Sequence, residues 1–96
     1  MQFLVLTHLD LPLDDPVVRE GIAAEHAQVR ALYGNGALRS IWRRGDRAGA
    51  ALLFEAESEA DVRWQLDTLP LARAGAVTID SIIPLHPHAA IIGAHP

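Results

Sequence analysis

The sequence predicts a single α+β domain in which a four-stranded antiparallel sheet carries two helices on one face. Three observations lead to that expectation. Runs rich in β-branched and large apolar residues alternate with helix-period stripes in the order strand, helix, strand, strand, helix, strand. The junctions between them carry helix caps, glycines and prolines. The chain has 96 residues, half of them hydrophobic, which is enough for one core over residues 1–96 and leaves no room for a second domain.

Gln2 to Leu9 reads as the first strand, and the loop Asp10 to Asp15 leads into a helix. Asp15 can cap the orphan amides there, Pro16 suits the first turn, and Glu20 adds favourable charge near that end, so a helix is expected from Pro16 to Tyr33. Gly34-Asn35-Gly36 ends it, because these residues accept the left-handed conformations that a helix C-terminus uses. Ala37 to Arg44 and Ala48 to Ala56 then form a hairpin across Gly45-Asp46-Arg47. Ser58 and Asp61 have capping-box-like spacing ahead of a second stripe, Val62, Leu66 and Leu69, which Pro70 is expected to close. Ala76 to Leu85 supplies the last strand, followed by a tail containing Pro and His and a final apolar pair, Ile91-Ile92.

This βαββαβ order is the split βαβ arrangement of ferredoxin-like domains, with both helices on one side of the sheet. The strands, however, do not alternate cleanly. Phe3-Leu4-Val5-Leu6, Ala50 to Phe54 and Ile82-Ile83 are apolar on both faces, as expected where both sides are buried. The face without helices is therefore expected to pack on another subunit, giving a dimer whose sheets enclose a shared or paired cavity.

Composition excludes several function classes. A formal charge of −4 and only a local cluster of Arg39, Arg43, Arg44 and Arg47 argue against a nucleic-acid partner. No cysteine is present, so disulfides, thiolate metal sites and a cysteine nucleophile are ruled out. No stretch has the length and apolarity of a membrane span, and the start Met1 to Pro12 lacks a basic n-region, which leaves the cytoplasm as the expected location. Ser40 and Ser81 have no His-Asp partners by spacing, and no glycine-rich phosphate loop occurs. His8, His86, His88 and His95 raise the question of a metal, but Pro87 breaks the strand geometry between His86 and His88, and no carboxylate stands at a convincing ligand spacing; no metal site is expected.

Glu25 is the residue that points to chemistry. The first helix sets Val18, Ile22, Glu25, Val29 and Leu32 on one stripe, so a carboxylate takes the middle of the face turned to the core. Desolvation disfavours its charged form and raises its pKa toward the range where a general base works. His26 stands next to it, and the pair suggests a proton-transfer site. The plainer alternative is a slightly rotated helix in which Glu25 reaches solvent or pairs with Arg19 or Arg30. Arg43 and Arg44 project to opposite sides of a strand, so only one can face a cavity. Trp42 on the hairpin can pack the sheet or wall a pocket, and Trp64, off its helix stripe, can mark an interface or a pocket edge.

Met1-Gln2-Phe3, Leu11-Pro12, Glu25, Ile41-Trp42-Arg43, Leu69-Pro70-Leu71 and His86-Pro87 occur in an order and at spacings similar to those of the muconolactone isomerase family, which shows Leu-Trp-Arg at the fourth of these. The resemblance covers nearly the whole chain. It implies a dimeric α+β barrel of aromatic degradation, a homo-oligomer that in the family can reach a decamer, and a reaction needing no cofactor. That reaction moves a proton between carbons of an unsaturated five-membered lactone bearing a carboxylate, here muconolactone or a related lactone. It implies Glu25 as base, His26 as the group that relays or returns the proton, and Arg43 as the cation for the carboxylate, since the family pattern favours Arg43 over Arg44. Trp42 would be a flat wall, and His8 is expected among the substrate-binding groups. The chain departs from the pattern at Leu4, where the family carries His, at His8, where it carries an acid, and at Ala72, where it carries an aromatic, so the pocket is expected to differ in shape. A non-catalytic binding or assembly protein of the same superfamily, or a biosynthetic cyclase or monooxygenase, are the competing expectations.

Overall fold

The first helix is where local sequence acts most directly. In the computed structural model, which describes residues 1–92, the Asp15 carboxylate accepts the Val17 N–H at 2.9 Å and opens helix α1, Pro16–Gly34. The chain leaves that helix through Asn35 and Gly36, the latter at φ +86°, and the Asn35 side chain accepts the Ala37 N–H at 2.9 Å. Strands β1 (Gln2–Leu9), β2 (Leu38–Arg43), β3 (Ala50–Glu55) and β4 (Val77–Leu85) make one antiparallel sheet in the order β2-β3-β1-β4, the ferredoxin-like order expected from the sequence.

Register sorts the side chains between the two faces. Phe3 stands opposite Phe54, and Val5 opposite Leu52; these four point to the helices and are buried. With Leu32 from α1 and Val62, Leu66 and Leu69, they form the core, where fully burying one large side chain contributes roughly 1.5–3 kcal/mol. Two irregularities explain the imperfect alternation in the sequence. The β2–β3 register shifts between Leu38 and Ser40, so that Leu38 and Ile41 both face the helices. The β1–β4 register shifts between Leu6 and Thr7, which leaves Asp80 as the extra residue and puts Ile79 and Ile82 on the same face. Part of what reads as two buried faces is thus one buried face served by bulged strands.

The second helical region differs from expectation. Helix α2, Glu59–Leu66, starts as predicted, with the Ser58 hydroxyl accepting the Asp61 N–H at 3.1 Å. It stops at Leu66, and Pro70 opens a further turn, α3, Pro70–Arg73, instead of closing the previous helix. Proline has no N–H to lose at the first position of a helix, so it is as good a start as a stop. A last short turn, α4, Ala89–Ile92, was not expected from the tail. His95 lies outside the described residues.

Candidate functional site

Gly21 decides how α1 meets α3. A Cβ there would come within 2.9 Å of Leu71 Cδ2, so the missing side chain gives Leu71 its place against the helix. One turn further along the same face, Glu25 Oε1 accepts the Leu71 N–H at 2.9 Å. That amide is one of the orphan donors at the start of α3, whose own N-cap residue, Leu69, offers no side-chain acceptor. Gln28 adds a second link, donating to Thr68 Oγ1 at 2.9 Å. Glu25 forms no ion pair with Arg19 or Arg30 among the described residues; it is half-buried and held by α3.

Burial raises the Glu25 carboxyl above its ordinary value of 4.5, against the lowering effect of the Leu71 N–H and of the neighbouring His26. Only Oε1 is engaged, and Oε2 has no partner among the described residues. The carboxylate borders a cavity of about 1000 Å³ between α1 and the sheet. Both ends of the α1 stripe, Val18 and Leu32, are in the core, whereas Ile22, Glu25 and Val29 from its middle roof this cavity. Leu52, Ile41, Val77 and Ile79 line the sheet side, and Leu66, Leu69, Leu71 and Ala72 close one end. The lining is mainly apolar, with few polar groups in it, which is the character of a small-molecule site.

His26 lies on the cavity wall and is exposed. Arg43 pairs across the ladder with Ala50, on the helix-facing side, and it and Arg47 stand at the cavity without an ion-pair partner among the described residues. Glu25, His26 and Arg43 are thus brought to one cavity. Trp42 reaches only its edge: it pairs with Ala51 on the helix-free face and is 54 % exposed. His8 is absent from the lining of this cavity. Strand alternation that turns Thr7 and Leu9 into the cavity turns His8 away from it. This cavity lies within one chain, between helix and sheet.

What holds His8 is a charged network that the sequence did not disclose. Its ring nitrogens lie 2.8 Å from Asp10 Oδ1 and 2.7 Å from Asp80 Oδ1. Arg44 donates to Asp80 Oδ2 at 2.7 Å and to the Thr7 carbonyl at 3.2 Å, and grips Asp46 with two bonds of 2.9 and 2.7 Å. The network straps the β2–β3 connection, which carries Arg43 and Arg47 to the cavity, onto β1 and β4. No local signal marks it, because Asp80 gains its position from the bulge. Hydrogen bonding to Arg44 holds Asp46 below its ordinary 3.8; desolvation would lift Asp80, but hydrogen bonds from His8 and Arg44 outweigh it and hold it lower as well.

Carboxyls lowered in this way stabilise the fold above their unfolded value of 3.8 and lose that contribution as pH falls through the folded value. An Arg44→Met variant should therefore show a shallower loss of stability than the parent below about pH 3.8 in urea melts taken at several pH values. Identical acid slopes would mean that the network has no linkage to folding. Among the described residues no group of three or more His, Asp or Glu is placed to hold a metal. No helix is long and apolar enough to cross a membrane.

The fold is similar to that of a crystal structure of muconolactone isomerase, 27 % identical, with a TM-score of 0.76 over 92 % of this chain and 91 % of that one. A structure of 5-chloro-2-hydroxyhydroquinone dehydrochlorinase from Burkholderia phenoliruptrix AC1100, in complex with 2,5-dihydroxybenzoquinone, shares the fold at 23 % identity. Its TM-score is 0.67 over 95 % of this chain and 98 % of that one. Among curated proteins no sequence matches. The family model described as muconolactone delta-isomerase matches residues 1–90, and the chain belongs to that family.

Proposed function

We propose that the protein is a cytoplasmic, cofactor-independent isomerase of a small carboxylated unsaturated lactone, converting muconolactone to 3-oxoadipate enol-lactone or acting on a close relative. The observation that carries this reading is Glu25: a half-buried carboxylate with a raised pKa and one free oxygen, on the wall of an apolar cavity that also holds His26 and Arg43. Glu25 takes a proton from a ring carbon conjugated to the lactone carbonyl. The electron pair of that C–H bond enters the conjugated system, the double bond shifts, and the proton returns to a different ring carbon from Glu25 or His26. Arg43 holds the substrate carboxylate with its planar fork. The test is turnover of muconolactone, followed by ultraviolet absorbance, in the parent and in Glu25→Gln side by side.

One observation favours a second reading. Glu25 Oε1 caps α3, a duty that a non-catalytic binding protein would equally need. In that case the parent has no turnover to lose, and the effect of Glu25→Gln is confined to stability and ligand affinity.

The helix-free sheet face carries Leu4, Leu6, Ala51 and Leu53, with Trp42 and Ile83 more exposed, at 54 % and 41 %. So continuous an apolar surface supports a homodimer formed through this face, on which larger assemblies such as a decamer can be built. Sedimentation at micromolar concentration is expected to give at least a dimer, and Leu53→Lys to give the monomer. A monomeric parent would refute the dimer.

A further inference from the structure

Thr7 is the one buried polar side chain among the described residues, 6 % exposed on the helix-facing side of β1. Its neighbours on that side of the strand are Val5 and Leu9, and it stands opposite Ile79 on β4. A hydroxyl at such a position costs free energy unless it is bonded, and valine would fill the same space. Only its acceptor side is used: Oγ1 accepts the Ala50 N–H at 3.3 Å, while the Thr7 carbonyl accepts from Arg44. The hydroxyl hydrogen has no acceptor among the described residues, and Thr7 lines the cavity on the sheet side, across from Glu25 on α1.

Resting on the isomerase reading above, we infer that Thr7 donates this hydrogen to the lactone carbonyl oxygen, where negative charge gathers once the ring proton has left. The C–H bond breaks, its proton goes to the base, and its electron pair spreads through the ring to the carbonyl oxygen. The Thr7 hydrogen bonds to that oxygen throughout and stays on Thr7. A donor already fixed in an apolar wall strengthens as the charge develops and needs no rearrangement at the moment of reaction. Arg43 stands in the same row of the sheet, two strands away across Ala50, so the substrate's carboxylate and its carbonyl fall to different groups.

The test compares two small five-membered lactones by NMR titration: tetronate, an enolate whose negative charge is shared between the lactone carbonyl oxygen and the oxygen on C4, and 2(5H)-furanone, which is neutral. Both are titrated in a Glu25→Gln background, which presents the uncharged side chain that a base has after taking the proton. Thr7→Val should bind tetronate at least about tenfold more weakly than its Thr7 parent, with furanone affinity unchanged, because a hydrogen bond to a charged acceptor is worth more than one to a neutral acceptor. Thr7→Ser should restore tetronate binding. Thr7→Cys, a weak donor of similar size, should behave like Thr7→Val and serves in its place if loss of the Ala50 acceptor prevents folding. Equal loss of both ligands would make Thr7 merely structural and overturn the proposal, as would undiminished tetronate binding in Thr7→Val or no tetronate binding to the Thr7 parent. Failure of the base assignment shows elsewhere, as turnover retained in Glu25→Gln, and leaves this comparison intact.

Discussion

Glu25→Gln is expected to lower lactone isomerisation by about 10²–10⁴-fold, the usual contribution of a positioned general base, while the fold survives. Glutamine keeps an oxygen for the Leu71 N–H, so the link between α1 and α3 is retained. What it loses is the ability to take a proton. The same change has a second signature in stability. The carboxyl starts from 4.5 and is raised on folding, so the folded chain favours the protonated form. Its contribution is complete below pH 4.5 and is lost as pH rises through the folded value. Glutamine cannot ionise. The variant should therefore gain stability relative to the parent as pH increases from 4.5 toward neutral, and turnover in the parent should rise over a pH range displaced upward from the ordinary carboxylate value. Denaturant melts and kcat/KM profiles over the same buffers read both effects. Activity surviving in the variant would remove Glu25 from the mechanism, and parallel stability profiles would remove the burial argument.

Such a residue could be found in the sequence because its anomaly is local. A carboxylate at the centre of the Val18–Leu32 stripe breaks helical periodicity in a way that one strand of text displays. Alternation alone did not separate Arg43 from Arg44: Arg43, the last residue of β2, stands opposite Ala50 on the helix-facing side, and Arg44, just beyond the strand, borders the same cavity while bound to Asp46 and Asp80. The order of the main elements was legible too, through Asp15, Ser58 and Gly36, all of which do the local work expected of them. The rest depends on contacts between distant segments. The Asp10–His8–Asp80–Arg44–Asp46 network exists because a bulge turns Asp80 toward His8, and its members come from both ends of the chain and the hairpin between. His8 lies outside the cavity lining because its neighbour Thr7 takes that side of the strand. Thr7 itself gives a faint signal, a single hydroxyl following Phe3 and Val5 on the core-facing side, but strands tolerate threonine well, so the signal gains meaning only once the free hydrogen and the cavity are seen together.

The most damaging small substitution should be Gly49→Ala. Where β3 begins, the chain passes so close to β1 that a Cβ on Gly49 would fall on the Thr7 carbonyl oxygen and within 2.9 Å of His8 Cα. Both are backbone atoms of a central strand, so no side chain can swing aside to make room. The φ of +158° is nearly extended, and the demand for glycine comes from space more than from the backbone angle. Relief requires β1 and β3 to separate where the Gly49 carbonyl accepts the Arg44 N–H and the Ala48 carbonyl accepts the Leu9 N–H, each at 3.0 Å. That movement also shifts Thr7 at the cavity and the Thr7 carbonyl on which Arg44 rests. Overpacking against rigid backbone with loss of paired hydrogen bonds belongs among the large single-residue effects, about 3 kcal/mol or more. For a domain of this size that is a fall in Tm of roughly 12 °C or more. Gly45→Ala, with nothing within 4 Å of the added methyl, is the control and should melt close to the parent. A Gly49→Ala variant melting with that control would mean that β1 and β3 do not approach as described, and the position of Thr7 at the cavity would fall with them.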